Sequence, residues 1–137
     1  DFPVIRLADV LLMFAEARNE LLGAPDAEVL AAINRVRIRA GIPELQNSNA
    51  SLPTFVDSKE SMRGRIRHER AIELATEGVS FSDVRRWKIA PEVCNGPILE
   101  FTTRVLKTRV FKDRDYLWPI PQAEMDQNDQ LTQNVGW

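Results

Sequence analysis

Apolar stripes at helical spacing, each closed by a glycine, constrain this chain more than any other feature. Val4, Leu7, Ala8, Leu11, Phe14, Ala15, Leu21 and Leu22 recur as one helical face, and Gly23 with Pro25 stops the run. Asp26 can cap a second helix, whose stripe of Val29, Leu30, Ile33, Val36 and Ala40 ends at Gly41 with Pro43 just beyond. A short turn between two such helices produces an antiparallel pair. Within that pair Leu11, Phe14 and Ala15, followed by Ala27, partly match a tetratricopeptide unit, in which small residues bring the helices close together.

Residues 46–57 are rich in turn formers and have no period, which predicts a surface loop. Asp57 and Glu60 have the spacing of a capping box, opening a third helix that carries Met62, Ile66, Ile72, Leu74 and Ala75 before Gly78. Ser80 or Ser82 is placed to cap a short fourth helix running through Trp87. From Ile89 the character changes: Pro91, Asn95, Gly96 and Pro97 break regular structure, and the Thr/Val/Phe-rich stretch 101–111 favours extended backbone. The tail from Tyr116 to Trp137, with Pro119-Ile120-Pro121 and many Asn, Asp and Gln residues, reads as ordered irregular chain wrapping the helices. The expected fold is therefore mostly α, a helical part over 3–88 followed by a loop and extended part over 89–137, together one domain.

Composition agrees with one packed domain. The 137 residues are 44% hydrophobic and 28% charged, enough to build a core without disulfides or a structural metal. Cys94 is the single cysteine, which excludes an internal disulfide and a multi-cysteine zinc site. Eighteen basic against twenty acidic residues leave a formal charge of −2, an unsuitable balance for a dedicated nucleic-acid binder. No apolar run approaches the roughly 20 residues of a membrane span. The chain opens on Asp1-Phe2-Pro3 without a basic or apolar leader, so it is read as a fragment whose signal or lipid anchor would lie upstream.

Four groups of residues invite a chemical reading. Glu69, Glu73 and Glu77 repeat at i,i+4 on one helix, a like-charge stripe that needs outside cations. Arg65 can reach Glu69 and Arg70 can reach Glu73, and Arg85 and Arg86, turned back at Gly78, are expected to supply the rest. The chain's 14 Arg against 4 Lys favour bidentate carboxylate pairing, so a structural network is preferred over a glycosidase-like acid/base pair. His68 is the only histidine and is placed on a helix surface, too little for a metal site or a triad. Arg104, Lys107, Arg109, Lys112 and Arg114 make 104–114 locally basic, read as a solvated face rather than a nucleic-acid strand. Trp87, Trp118 and Trp137 could stack on sugar rings, but their positions suggest anchors packed on the core. No catalytic residue, metal ligand or cofactor site is identified.

PVIRLADVLLMFAEARNE at 3–20, INRVRIRAGIP at 33–43, IRHERAIELATEGVSFSDVRRW at 66–87 and LWPIPQAEMDQNDQLTQNVGW at 117–137 strongly resemble, in order, the carboxy-terminal part of the SusD/RagB family. Only 44–65 and 88–116 lack a counterpart. Two departures stand out: Phe81-Ser82-Asp83 replaces an aromatic-aromatic-Asp run, and Asn134-Val135-Gly136-Trp137 replaces Asn-Pro-Gly-Trp. The resemblance implies a tetratricopeptide-like scaffold with an irregular carboxy-terminal region. It implies a surface-exposed outer-membrane lipoprotein that captures oligosaccharides or other nutrients without catalysis and passes them to a SusC-like, TonB-dependent transporter. Glu69, Arg70, Glu73, Glu77, Arg85, Arg86, Trp87, Trp118 and Trp137 would then serve the scaffold, with the ligand-contacting residues unassigned. The competing reading of the same scaffold is a helical-repeat module that binds a protein.

Overall fold

The computed structural model describes residues 5–137, and the chain divides into two compact units between Ser80 and Phe81. Val4, placed by the periodicity at the head of the first stripe, lies outside the described residues.

The first unit is built from α1 (Leu7–Leu21), α2 (Ala27–Arg39) and α3 (Lys59–Glu73). Its core gathers Leu12 and Ala15 of α1, Val29, Ile33 and Val36 of α2, Met62 and Ile66 of α3, and Leu45 and Val56 from the ends of the loop. The small side chains of Ala8, Ala15 and Ala32 are buried at this seam, where bulk on both helices would hold them apart. The buried face of α1 is Ala8, Leu12, Ala15 and Asn19; Leu7, Phe14 and Leu21, expected inside, are exposed. The same holds for Ala40 of the second stripe and for Ile72 and Ala75 of the third. A stripe read at helical spacing marks apolar positions, and a helix touching only two neighbours covers only some of them.

The helix ends follow local chemistry. Asp26 caps α2 by accepting from the Val29 amide at 2.9 Å, as its position predicts, and Gly41 takes φ +72° just past the end. The capping box of α3 is Ser58 with Ser61, each accepting the other's amide at 3.2 Å, instead of Asp57 with Glu60 one residue earlier. Both pairs have the right spacing, and the serine pair satisfies two amide donors reciprocally. α3 stops at Glu73 and a tight turn carries the chain to Gly78, φ +80°. Between α2 and α3 the loop is pinned by buried Asn34, whose amide group exchanges hydrogen bonds with the Leu45 main chain at 2.8 Å both ways.

The second unit follows a different plan. α4 (Val79–Arg86) begins directly after Gly78, so Ser80 and Ser82 lie inside it rather than capping it. After α5 (Ala90–Cys94), β1 (Gly96–Leu99) pairs antiparallel with β2 (Val105–Arg109). Extended backbone was expected for β2, but β1 falls among the residues taken as breakers. A two-stranded ribbon tolerates Pro97 because each strand has a free edge, where a missing N–H leaves no ladder bond unmade. A 3₁₀ turn (Asp113–Tyr116) and α6 (Gln122–Gln127) precede the tail. Side chains substitute for a ladder there. The Gln133 amide accepts from Ile120 N at 2.8 Å and donates to Ile120 O at 2.9 Å, and Asn134 Nδ2 donates to Trp118 O at 2.6 Å.

Candidate functional site

Glu69 and Glu73 lie on α3, but Glu77, expected on the same helix, sits in the turn beyond its end because α3 stops at Glu73. Three carboxylates this close still need cations, and the structure supplies them from α2 and from the residue that opens α1. Arg37 Nη1 meets Glu69 Oε2 at 2.6 Å, with both side chains largely buried. Arg39 Nη2 meets Glu73 Oε2 at 2.5 Å. Arg6, just before α1, forks across the last two: Nη1 to Glu73 Oε1 at 2.9 Å and Nη2 to Glu77 Oε1 at 2.6 Å. Its Nη2 also donates to the Glu73 carbonyl at 2.8 Å. The Glu77 and Glu73 carboxylates together raise the Arg6 pKa above its ordinary value.

The expectation that Arg85 and Arg86 neutralise the stripe is corrected accordingly. Arg86 Nε bonds Asp83 Oδ1 at 2.9 Å, and the Arg85 guanidinium lies 3.7 Å over the Phe81 ring. Arg70 reaches Asp9 Oδ1 at 2.9 Å instead of Glu73, and Arg65 donates to the Pro53 carbonyl instead of Glu69. A long guanidinium prefers a partner on a neighbouring helix when packing brings one near, because the i,i+4 pair is worth only a few tenths of a kcal/mol. The sequence does hold a signal for the right cations: Arg35, Arg37 and Arg39 crowd the end of α2 with no acid between Glu28 and Glu44, opposite the three glutamates spaced at i,i+4 over 69–77.

A second clamp ties the end of α1 to the start of α3. Glu20 accepts from Arg63 at 2.5 and 2.7 Å and lies 3.3 Å from Lys59 Nζ, and the Arg63 bond foremost lowers its pKa to about 2. The Arg18 guanidinium, with help from the Val29 amide, likewise holds Asp26 below the usual carboxylate range. Glu69, Glu73 and Glu77 therefore each face a guanidinium, the arrangement of a clamp. An acid–base pair instead wants one carboxyl kept neutral by an apolar pocket. His68 is exposed and Cys94 is half-buried with a free thiol.

The aromatic residues of the second unit are organised by cations. Arg85 spans Phe81 and Phe111, at 3.7 and 5.4 Å, Phe111 meets Tyr116 edge-on at 4.8 Å, and Lys88 Nζ lies 4.0 Å over Tyr116. Trp87 is half-buried beneath Arg86, 4.7 Å from its guanidinium. Trp137, 45% exposed rather than packed on the core, ties the tail down through its indole: Nε1 donates to the Arg114 and Leu117 carbonyls at 3.1 Å, and Arg114 covers the ring at 4.5 Å. Gly136, φ +88°, makes that approach possible, since a Cβ there would stand 3.0 Å from Arg114 Cβ. Trp118 is the exception. Expected to grip the core, it is 76% exposed, because it is its carbonyl, not its indole, that holds the tail.

Leu117, Trp118 and Trp137 border a recess of about 200 Å³ with Arg85 and Asp115. That is below the roughly 300–1,000 Å³ of ordinary ligand pockets. The basic residues of 104–114 flank or belong to β2, whose five residues are all exposed, as a solvated face requires. Among the described residues, no helix is long and apolar enough to cross a membrane.

The family model described as "SusD family" matches residues 1–137. SusD-like protein P2 of Formosa agariphila is 34% identical over 133 residues, covering 95% of this chain and 24% of that protein. SusD-like protein P38 of the same organism is 32% identical over 134 residues, covering 98% and 24%. A crystal structure of a SusD-like protein from Bacteroides fragilis superposes with TM-score 0.72 at 36% identity, covering 95% of this chain and 25% of that one. A SusD homolog from Bacteroides thetaiotaomicron gives 0.69 at 35% identity, covering 98% and 26%. The chain thus spans about a quarter of the length of the relatives it matches.

Proposed function

This chain belongs to the SusD family, and from that premise we propose that it forms the carboxy-terminal scaffold domain of a surface protein that captures glycans or related nutrients. The capture is non-catalytic, and the ligand passes to a TonB-dependent transporter of the SusC kind in the outer membrane. A lipid anchor outside these residues holds the protein at the extracellular face. The family match across the whole chain carries this reading. Two features of the site support it. The carboxylates that would have to perform hydrolysis are committed to guanidinium clamps, and the aromatic side chains of the second unit lie under cations, the exposed Phe101 and Trp118 excepted.

Glutamates 69, 73 and 77 with Arg70, and Arg85, Arg86, Trp87, Trp118 and Trp137, are on this reading scaffold residues, and the sugar-contacting surface lies elsewhere in the protein. Calorimetric titration of the full-length protein against a panel of plant and host oligosaccharides tests capture. Saturable binding without product formation is the expected result; turnover, or no binding to any member, contradicts it. The 137-residue chain alone should bind none of them more tightly than about 1 mM, equivalent to roughly 4 kcal/mol. Tighter binding that is lost on changing a residue in 44–57 or 89–116 would move the contact surface into this segment. Co-purification of a TonB-dependent transporter with the tagged full-length protein tests the partner.

A further inference from the structure

Asn95 alone among the asparagines of this chain precedes a glycine; the others precede Glu, Arg, Ser, Ala, Asp or Val. The amide nitrogen that follows an asparagine can attack that residue's own side-chain carbonyl carbon. A Cβ on the attacking residue shields the nitrogen, and Gly96 has none. The fold itself asks for glycine there, since Gly96 takes φ +124° where α5 passes into β1. Asn95 is exposed, and its side chain bonds the other strand's continuation: Nδ2 donates to the Phe111 carbonyl at 3.3 Å, and Oδ1 accepts from the Phe111 amide. This exchange adds a side-chain rung just beyond Gly96 and Arg109, the outermost pair of the ribbon. It also restrains the chemistry. Ring closure needs the Gly96 nitrogen on the side-chain's side of the Cα–C bond, and at ψ 150° Asn95 holds it turned away while Phe111 grips the amide.

We propose that Asn95 is a site of spontaneous deamidation, that opening of the β1–β2 ribbon at Phe111 sets its rate, and that conversion leaves the ribbon unlatched. Once the Phe111 bonds are broken, the Gly96 nitrogen attacks Asn95 Cγ. The Cγ–Nδ2 bond breaks, and ammonia leaves with the proton that the Gly96 nitrogen gives up. Water then adds to one carbonyl of the five-membered imide and breaks that carbon's bond to nitrogen. Attack at Cγ yields aspartate, and attack at the main-chain carbonyl yields isoaspartate. Neither product keeps the Nδ2 donor, so a carboxylate faces the Phe111 carbonyl acceptor to acceptor. Isoaspartate also inserts one more carbon into the main chain between α5 and β1, shifting β1 against β2. The gate is a weak one: all of β2 is exposed, and a lone two-stranded ribbon opens without breaking a core.

Peptide mapping by mass spectrometry tests this on the full-length protein, incubated at mildly alkaline pH with a sample unfolded in guanidinium chloride beside it. Exchange of ammonia for water marks conversion. Asn95 should convert first among the asparagines of these 137 residues, and about tenfold or more slowly in the folded protein than in the unfolded one. Tyr116→Leu removes the ring that Phe111 meets edge-on. It should raise the Asn95 rate and hydrogen exchange at the Phe111 amide by the same factor, with exchange at Leu12 and Ile33 unchanged. If that variant loosens the first unit as well, low guanidinium chloride replaces it as the perturbation. Converted protein, isolated by ion exchange, should have lost protection at Phe111 and kept it at Leu12. First conversion at another of these asparagines, or none at Asn95 while the unfolded chain converts, overturns the site. Equal folded and unfolded rates, or an Asn95 rate that follows Leu12 instead of Phe111, overturn the gate, and a converted protein still protected at Phe111 overturns the unlatching.

Discussion

Up to Ser80 the chain holds itself together by burial, and beyond Phe81 by local polar and stacking contacts. Leu12, Val29, Ile33, Val56, Met62 and Ile66 are essentially inaccessible in the first unit, and ion pairs close over them. In the second unit Ala90 and Asp83 are the buried residues, β2 is exposed throughout, and order comes from Gln133, Asn134 and Trp137 bonding main-chain groups and from cations laid on rings. Burial is worth several kcal/mol per large side chain, whereas an exposed cation–π contact contributes about 0.5–1. The two units should therefore differ sharply in their response to the same kind of change.

The largest effect is expected at the centre of the first core. Leu12→Ala should cost about 2–5 kcal/mol, read as a drop in the denaturation midpoint, because the cavity would lie among residues with no room to collapse. A cost under 1 kcal/mol would show that the α1–α2 seam is looser than described. Next comes the clamp. Arg37→Met strands the Glu69 carboxylate, which is 6% exposed, and should cost about 3 kcal/mol, with Glu69→Gln partly restoring stability in the double variant. Additive losses would mean that the pair is not coupled.

Smaller, and dependent on pH, is the contribution of Glu20. Its folded pKa is about 2 against an ordinary 4.5, so between those values the unfolded chain binds more protons. The stabilisation is fully present above pH 4.5 and is lost as pH falls towards 2. The melting-temperature gap between the native protein and Glu20→Gln should narrow over that window; a constant gap contradicts the assignment. Smallest is Trp118→Ala, which should change stability by no more than about 0.5 kcal/mol, since the indole is 76% exposed. A loss comparable to that of Leu12→Ala would erase the contrast between the units.

What could be read in advance follows the same division. Periodicity located the three long helices, and Asp26 and Gly41 acted at the ends of α2 as residues of their type do, whereas α3 stops at Glu73, five residues before the Gly78 expected to close it. Spacing could not decide between Asp57/Glu60 and Ser58/Ser61, because both pairs have it. It could not show which face of α1 is covered either, since Leu7 and Phe14 are as apolar as Leu12. The cations for Glu69, Glu73 and Glu77 lie 32 to 71 residues away in sequence. Only the packing of α1 and α2 beside α3 brings Arg6, Arg37 and Arg39 to them, and no local rule encodes that. In the tail, abundant Asn and Gln signalled irregular chain correctly, but which amide replaces which ladder bond is a property of the folded path.

Hydrogen exchange at residue resolution on the 137-residue chain tests the central contrast most directly. Amides of α1, α2 and α3 around Leu12, Ile33 and Ile66 should be the slowest, opening only with global unfolding, while those of the β1–β2 ribbon, α6 and the tail exchange at least a hundredfold faster through local opening. Equal protection in both units, or a ribbon slower than the core of α1–α3, would contradict the account.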